Sequence, residues 1–165
     1  MGSKLFDLPY QLAYYKAYHM DEQNIQIHLF CIPIILFTAI LLLAHLPMPI
    51  ISISWLIAVS FSTYYIYLDL IAGLIASPFL IITAIASDNI LTIKPVLAIH
   101  LLAWAAQFYG HFNFEGKSPA IFDNLIQPLV LAPYFVVWEI LFMYGYKPDL
   151  ETEMNAQAIK KRKSL

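Results

Sequence analysis

Charged residues are scarce in this sequence. Asp, Glu, Lys and Arg make up 12% of its 165 residues, whereas hydrophobic residues make up 61%. A soluble domain usually carries about 25% charged residues. Between Glu22 and Glu115 the only charged side chains are those of Asp69, Asp88 and Lys94. This scarcity excludes an ordinary soluble domain and predicts an integral membrane protein.

Cysteine and clustered basic residues are scarce as well. Cys31 is the single cysteine, so a disulfide framework within the chain is excluded. The net charge is −2, and the basic residues form no stripe outside the tail at residues 160–163. We therefore expect no nucleic-acid partner.

The N-terminal residues predict an amphipathic helix over residues 5–19. Leu8, Leu12, Tyr15 and His19 recur at spacings of three and four, which places them on one helical face. Asp7 is a suitable N-cap for this helix. We expect the helix to lie at the membrane surface or to pack on the rest of the bundle.

Five apolar runs follow, at residues 27–46, 50–68, 70–87, 95–112 and 125–146. The first four predict membrane-spanning helices, because about 20 apolar residues cross the hydrocarbon layer. Lysines near both termini favour a shared cytoplasmic side, which requires an even number of crossings. The fifth run would then form a bent, re-entrant or interfacial hairpin around Pro133. Five full crossings are the alternative.

These runs predict an all-α fold, a polytopic membrane helical bundle with four to five hydrophobic segments and an amphipathic N-terminal helix. Residues 1–148 are expected to form one membrane-embedded domain, and residues 149–165 a charged, solvated tail. Lys161 and Lys163 resemble an endoplasmic-reticulum retrieval pattern, although a bacterial protein can carry the same basic end. The predicted location is the endoplasmic reticulum in a eukaryote or the inner membrane in a bacterium.

Three histidines are predicted to meet at one membrane face. His19 precedes the first span, His28 begins it and His111 ends the fourth, and the first span begins on the face where the fourth ends. Imidazoles combined with a carboxylate suit iron(II), zinc or manganese. Glu115 lies four residues after His111, so the two are neighbours if the helix continues. In the alternative interpretation, each histidine only hydrogen-bonds at the interface.

The remaining polar residues receive simpler predictions. His100 precedes His111 by eleven residues, or ~16 Å along an α-helix, which is too far to share a metal. We expect it to be a polar partner deeper in the bundle or a pocket residue. Lys16 and Lys117 are candidates to receive a substrate carboxylate, with snorkelling toward lipid headgroups as the alternative. Turns or helix boundaries are predicted at Asp69, Asp88 and Glu139.

Four sequence motifs in this chain match those of a known family. They are L-x-x-Q-L-x-x-Y-x-x-x-H at residues 8–19, N-x-x-I-H-x-x-x-x-P at 24–33, Q-F-x-G-H-x-x-F-E-x-x-x-P-A-x-x-D-N-L-x-Q at 107–127 and L-V-L-A-P-Y-F at 129–135. Over about residues 5–148 the chain resembles the Mpo-type family. This family comprises small fungal and bacterial membrane proteins that include the yeast iron(II)-dependent 2-hydroxy-fatty-acid dioxygenase.

The resemblance implies α-oxidation, in which a 2-hydroxy fatty acid, formed for example in phytosphingosine breakdown, becomes an acid one carbon shorter. It implies Fe(II) as the cofactor, with the fatty acid, dioxygen and the lipid bilayer as partners. By position in the motifs, His19, His28 and His111 are the expected metal ligands, and Glu115 is expected to join them in catalysis. The expected substrate contacts are Asn24, Gln107, Asp123 and Asn124, together with the two lysines Lys16 and Lys117.

Two other functions are compatible with these residues. A different lipid metalloenzyme, such as a hydroxylase or desaturase, usually carries dense HxxH or HxxHH clusters, and this sequence has none. A non-enzymatic membrane lipid-binding or scaffold protein is the main alternative. It predicts that no metal is bound and that replacement of the three histidines has no effect on function. The oligomeric state is left open by the sequence.

Overall fold

The computed structural model describes residues 4–46, 51–89, 92–119, 121 and 126–164, and for residues 126 and 127 the backbone only. Within these ranges all regular structure is helical, which confirms the predicted all-α class. A short 3₁₀ turn, Lys4–Phe6, precedes α1, and a π-helical turn, His111–Glu115, follows α5. The α-helices are α1 (Leu8–Lys16), α2 (Glu22–Leu43), α3 (Ile53–Leu68), α4 (Leu70–Ser87), α5 (Ile93–Gly110), α6 (Ile126–Met143) and α7 (Pro148–Arg162).

Two of these helices, α2 and α4, are long and apolar enough to cross a membrane. Helix α3 and the Pro128–Met143 part of α6 are shorter apolar helices. Large apolar side chains on α4 and α5 face outward, among them Ile82 and Leu102, which are 63% and 71% exposed. An outward apolar face is typical of a surface that contacts lipid or another protein. Four to five spans were predicted, which is more than the two helices that are long and apolar enough to cross. The number of spans therefore stays a prediction.

Helices α3 and α4 fold back on each other at Asp69. This residue leaves the helical conformation and accepts a hydrogen bond from the Ala72 N–H at 2.9 Å, so it caps α4 as an Asx residue commonly does. The two helices approach closely at Gly73, where an added Cβ would lie 2.3 Å from the Ile66 nitrogen. Only glycine fits such a contact. The turn predicted at Asp69 is therefore present.

Helix α6 differs from the expected hairpin. It runs without reversal through Pro133, as one continuous helix over Ile126–Met143. The Tyr65 hydroxyl donates to the Val130 carbonyl, the Tyr134 hydroxyl donates to the Tyr65 carbonyl at 3.0 Å, and the two rings stack with centroids 4.4 Å apart. These contacts support a turn that the proline would otherwise weaken. The prediction of a reversal at Pro133 was wrong.

Glu139 was also wrongly predicted, as a boundary residue. It lies inside α6 and forms an ion pair with Lys16 of α1, with 2.7 Å between Lys16 Nζ and Glu139 Oε1. A partly buried carboxylate in an apolar helix is stabilised by such a partner. Nothing in the local sequence pattern identifies a partner 123 residues away.

Most of the predicted tail, which was expected to be charged and solvated and could be helical, belongs to helix α7, Pro148–Arg162. Positive φ angles at Gly145 and Lys147 turn the chain after α6. Met154 and Ala158, four residues apart, are buried in the core, and Lys161 Nζ lies 4.2 Å from the centroid of the Tyr14 ring of α1. Because of the charged residues around them, Met154 and Ala158 are not recognisable from the sequence as buried positions. The division into two regions at residue 148 stays a prediction.

Candidate metal centre

Three segments distant in the chain bring His19, His28 and His111 together. His19 follows α1, His28 lies in the second turn of α2, and His111 begins the π-helical turn after α5. The ring centroids are separated by 4.4 Å (His19 to His28), 4.9 Å (His19 to His111) and 4.8 Å (His28 to His111). One ligand nitrogen from each residue lies within 4.8 Å of the others, and all three residues are buried. Three buried histidines so placed could form a metal site.

Two of the rings are held in a defined orientation by backbone carbonyls. His19 Nδ1 lies 2.8 Å from the Tyr15 carbonyl oxygen, and His28 Nδ1 lies 2.8 Å from the Asn24 carbonyl oxygen. A carbonyl only accepts, so each Nδ1 carries the proton and each Nε2 keeps its lone pair. This is the arrangement in which metal-binding histidines are usually found.

Two of the nitrogens that could bind a metal have no hydrogen-bond partner among the described residues. His19 Nε2 and His111 Nδ1 are buried and make no hydrogen bond with any residue that the structure describes. An unpaired buried polar atom costs about 1–3 kcal/mol. Neutral imidazole nitrogens are the commonest metal ligands in proteins, and three of them leave coordination positions open for other molecules. The donor set therefore fits a divalent transition metal.

The surroundings favour neutral imidazoles. Burial lowers the pKa of His19 well below its usual value, and the neighbouring His28 and His111 lower it further, since a second positive charge nearby is unfavourable. At neutral pH the His19 ring therefore keeps the lone pair that a metal requires.

Glu115 lies beside this group rather than in it. Its carboxylate accepts hydrogen bonds from the backbone N–H groups of Met20 (3.1 Å to Oε2) and Asp21 (3.1 Å), from Asn24 Nδ2 (3.0 Å) and from the Arg162 guanidinium. Burial by itself would raise the pKa of Glu115, but these donors lower it below its usual value. The carboxylate therefore ties together the segments that carry the histidines.

The π-helical turn explains this position of Glu115. The Gly116 N–H donates to the His111 carbonyl at 3.0 Å, a bond across five residues, and Gly116 has a φ of 64°. A side chain rarely tolerates that conformation, so glycine suits the end of the turn. The sequence predicted that His111 and Glu115 are neighbours on an α-helix. The wider turn instead leaves Glu115 outside the group of three histidines.

Asn24 and Gln107, both predicted to contact substrate, occupy different positions. Asn24 is fully buried and links Glu115, through its amide, with His28, through its carbonyl. Gly110 of α5 lies against it, since an added Cβ would be 2.5 Å from Asn24 Oδ1. Gln107 is 6% exposed, and its Nε2 has no hydrogen-bond partner within the described part of the chain.

The other predicted site residues have partners in the protein or lie outside the described residues. Lys16 is paired with Glu139, and Lys117 Nζ donates to the Arg162 carbonyl at 3.2 Å, so each lysine has a partner in the protein. His100 is a polar partner in the bundle, with Thr38 Oγ1 2.8 Å from its Nδ1 and Trp104 Nε1 3.0 Å from its Nε2. The predictions for Asp123 and Asn124 fall outside the described residues.

An apolar cavity begins at the three histidines. It spans about 700 Å³, part of which is open to solvent, and Gln107 is one of the residues that line it. From His28 to Ala39, eleven residues along α2, its wall extends ~16 Å at the α-helical rise. Beyond the histidines the cavity walls are apolar and come mainly from α2, α5 and α6. The apolar lining residues include Ile32, Ile35, Leu36, Trp104, Phe108, Leu129, Ala132 and Pro133. The cavity suits an apolar chain whose polar end lies at the histidines.

Sequence reasoning missed two residues at this centre. Tyr15 stacks on His19 with 4.1 Å between the ring centroids and holds its Nδ1 through the carbonyl. It belongs to the first motif, which is the signal that could have identified it. Arg162 binds the Glu115 carboxylate from α7, and it lies in a basic run that carries no such signal.

Comparisons with known proteins agree with the motifs. The sequence model of the family described as "2-hydroxy-palmitic acid dioxygenase Mpo1-like" matches residues 6–144. The 2-hydroxy-palmitic acid dioxygenase MPO1 of Saccharomyces cerevisiae is 38% identical over 169 residues, which cover 100% of this chain and 97% of the yeast protein. No solved structure gives a significant match. The family model and the full-length similarity confirm the resemblance read from the sequence, and the chain belongs to the Mpo1-like family of dioxygenases.

Proposed function

We propose that this protein is an iron(II)-dependent dioxygenase that catalyses α-oxidation of 2-hydroxy fatty acids to acids one carbon shorter. The observation that carries the proposal is the group formed by His19, His28 and His111 at the end of an apolar cavity. Membership in the Mpo1-like family and similarity to the yeast 2-hydroxy-palmitic acid dioxygenase support the same reaction.

The three histidines would hold the metal, and the surrounding residues would fix their geometry. The carbonyls of Tyr15 and Asn24 hold the proton on Nδ1 of His19 and His28, which leaves both Nε2 atoms free for coordination. Histidine ligands with open positions suit non-haem iron oxygen chemistry. When bound, iron supplies the activation of dioxygen, while the protein supplies binding and orientation.

The cavity would place the substrate with its 2-hydroxyl and carboxylate at the histidines. The acyl chain would lie along the apolar wall between His28 and Ala39, where its burial supplies binding free energy of about 0.8 kcal/mol per CH₂. Gln107 Nε2 is well suited to donate a hydrogen bond to a substrate oxygen. It is buried, Gln107 lines the cavity, and Nε2 lacks a partner within the described residues. Lys16 and Lys117 are less suited, since each has a protein partner.

The apolar exterior supports an integral membrane location. Helices α2 and α4 can span a bilayer, and further crossings by α3 and α5 would complete a four-span bundle with α1 and α7 on the same face. A fatty acid could then enter the cavity from the lipid phase without crossing water. The endoplasmic reticulum in a eukaryote, or the inner membrane in a bacterium, is the location we propose.

The direct test is a reconstituted reaction. Purified protein is freed of metal, loaded anaerobically with iron(II), and given 2-hydroxypalmitate and dioxygen, and the products are measured by mass spectrometry. We expect release of the acid one carbon shorter that depends on iron and on dioxygen. A non-enzymatic lipid-binding protein would instead bind the fatty acid without converting it. That result would contradict the proposal.

A further inference from the structure

The side chain of Arg162, at the end of α7, reaches the segments around the candidate metal centre. Its Nη1 forms an ion pair with the Glu115 carboxylate and donates to the Ala17 carbonyl at 3.2 Å, and its Nη2 contacts the Glu115 carbonyl at 3.3 Å. The Glu115 side chain is 0% exposed and that of Arg162 is 25% exposed. A guanidinium can serve three acceptors at once because its donors form a rigid planar fork.

Through Glu115 this contact reaches all three histidines. The Glu115 carboxylate accepts the backbone N–H of Met20, the residue directly after His19. It also accepts the amide of Asn24, whose carbonyl holds His28 Nδ1. Glu115 itself ends the π-helical turn that His111 begins. One buried carboxylate thus links the three histidine-bearing segments, and Arg162 is its only charged hydrogen-bond partner among the described residues.

Arg162 is in turn held in place by the packing of α7. Met154 and Ala158 are buried, Lys161 lies over the Tyr14 ring, and Lys117 Nζ donates to the Arg162 carbonyl. The guanidinium is therefore presented to Glu115 from a helix that is itself anchored on α1. Loss of the arginine would leave a buried carboxylate with neutral donors only, which is strongly unfavourable.

We propose that Arg162 is a positioning residue of the candidate metal centre, through which helix α7 fixes the relative placement of His19, His28 and His111. The role in metal binding rests on the proposed function, whereas the role in holding the three segments does not. Ligand sets lose affinity when the residues that orient them are removed, commonly by about 10- to 100-fold.

The test uses the full-length chain and cobalt(II) as a spectroscopic probe of the site. Arg162→Gln removes the charge and the fork, whereas Lys163→Gln removes the same charge from the next residue, which is exposed. We expect the cobalt Kd to rise about 10- to 100-fold in Arg162→Gln and to be unchanged in Lys163→Gln. Arg162→Lys should give an intermediate Kd, because an ammonium keeps the charge but cannot serve all three acceptors.

A second readout needs no metal. Amide hydrogen exchange is measured in the metal-free protein at Met20 and Asp21, whose N–H groups donate to Glu115. We expect exchange at both to accelerate in Arg162→Gln and not in Lys163→Gln. If Arg162→Gln cannot be recovered folded, Arg162→Lys takes its place, with the same direction and a smaller effect.

The outcomes separate this proposal from the proposed function. Wild-type protein that binds no cobalt would contradict the metal-dependent function, while the exchange data would still decide whether Arg162 holds the three segments. Unchanged cobalt affinity in the Arg162 variants would overturn the positioning role, even if exchange became faster, because the contact would then be structural only. Unchanged exchange would overturn the proposed path through Glu115.

Discussion

Two parts of this molecule, the half around the candidate metal centre and the half formed by α3 and α4, bury different kinds of residue. At the candidate metal centre, polar side chains are buried and linked to one another, as in the chain from Arg162 through Glu115 and Asn24 to His28. Between α3 and α4 most buried positions hold small residues, and the buried serine and threonine hydroxyls of α4 bond to carbonyls of their own helix, such as Ser77 to the Gly73 carbonyl and Thr83 to the Phe79 carbonyl. The small buried residues there include Ala58, Ala72, Ala76 and Ala84.

This difference separates stability from function. Close backbone contact between α3 and α4 needs small side chains, and such side chains offer no ligand to a metal. The linked polar residues at the other end carry a desolvation cost that an apolar core would not have, and such residues are expensive unless every member is satisfied. This cost is explained if these residues orient metal ligands. Substitutions in the two halves should therefore have different consequences.

The largest effect is expected from His28→Ala. Removal of one of three proposed ligands should reduce iron-dependent turnover by more than the about 100-fold that loss of an orienting residue costs. His45→Ala is the matched control, because the His45 ring lies just after α2, contacts the Leu41 carbonyl at 2.9 Å and lies outside the group of three. Product formation and bound iron are measured for both. Turnover close to wild type in His28→Ala would contradict the proposed site.

The next effect concerns the α3–α4 contact. Gly73→Ala places a Cβ against the backbone of Ile66, which cannot yield as a side chain can. We expect a loss of about 1–3 kcal/mol in stability, seen as a lower thermal midpoint in detergent, with an unchanged cobalt Kd for the folded protein. A large change in metal affinity would mean that the two halves are coupled.

Gly110→Ala is the counterpart at the metal centre. Its Cβ would meet Asn24 Oδ1, which belongs to the residue whose side-chain amide donates to Glu115 and whose backbone carbonyl holds His28. We expect weaker cobalt binding, by roughly 10-fold as for other orienting residues, with a smaller loss of stability than in Gly73→Ala. Comparison of the two glycine variants by the same two measurements tests the separation directly. Equal effects of both variants on metal affinity would contradict it.

The cavity extends from the histidines along α2, so its far end should affect selectivity rather than the metal. Ala39 lines the end of the α2 wall farthest from His28. We expect Ala39→Phe to reduce kcat/KM for long-chain 2-hydroxy acids by roughly 10-fold, since each excluded CH₂ removes about 0.8 kcal/mol of burial, while short-chain acids are converted as before. A chain-length series measures this. A uniform loss across the series would place the acyl chain elsewhere.

The smallest effect is a pH dependence of stability. The pKa of Glu115 is lowered in the folded protein, so its stabilising contribution is complete above the ordinary glutamate value of about 4.3 and is lost as the pH falls through the folded value. We expect the thermal midpoint of the wild type to fall between about pH 4 and the folded value, and Glu115→Gln to remove part of this fall. An identical pH profile in the variant would mean that other carboxylates are responsible.

Much of the apolar half was predictable. The predicted run at residues 70–87 coincides with α4, because Asp69 and Asp88 mark its two ends and the pattern between them is continuous. The meeting of the three histidines followed from counting crossings, although their assignment as ligands stays a prediction. Periodicity and composition are local properties, and they suffice where neighbouring helices pack through small side chains.

The polar contacts between distant segments were not predictable. Lys16 and Glu139 are 123 residues apart, and Glu115 and Arg162 are 47 residues apart, so neither pair leaves a periodic signal. The charge of α7 suggested a solvated tail, because two buried residues one turn apart are too few to mark an amphipathic helix. The hydrogen bond of the π-helical turn at residues 111–115 spans one residue more than that of an α-helix, and the sequence gives no sign of this.

The central claim is that three imidazoles bind one metal ion at the end of the acyl cavity. X-ray absorption spectroscopy of the iron(II)-loaded protein measures the ligands directly. We predict one iron per chain with scattering from three imidazoles, reduced to two in His28→Ala. Iron bound without imidazole scattering, or no iron bound at all, would contradict the account.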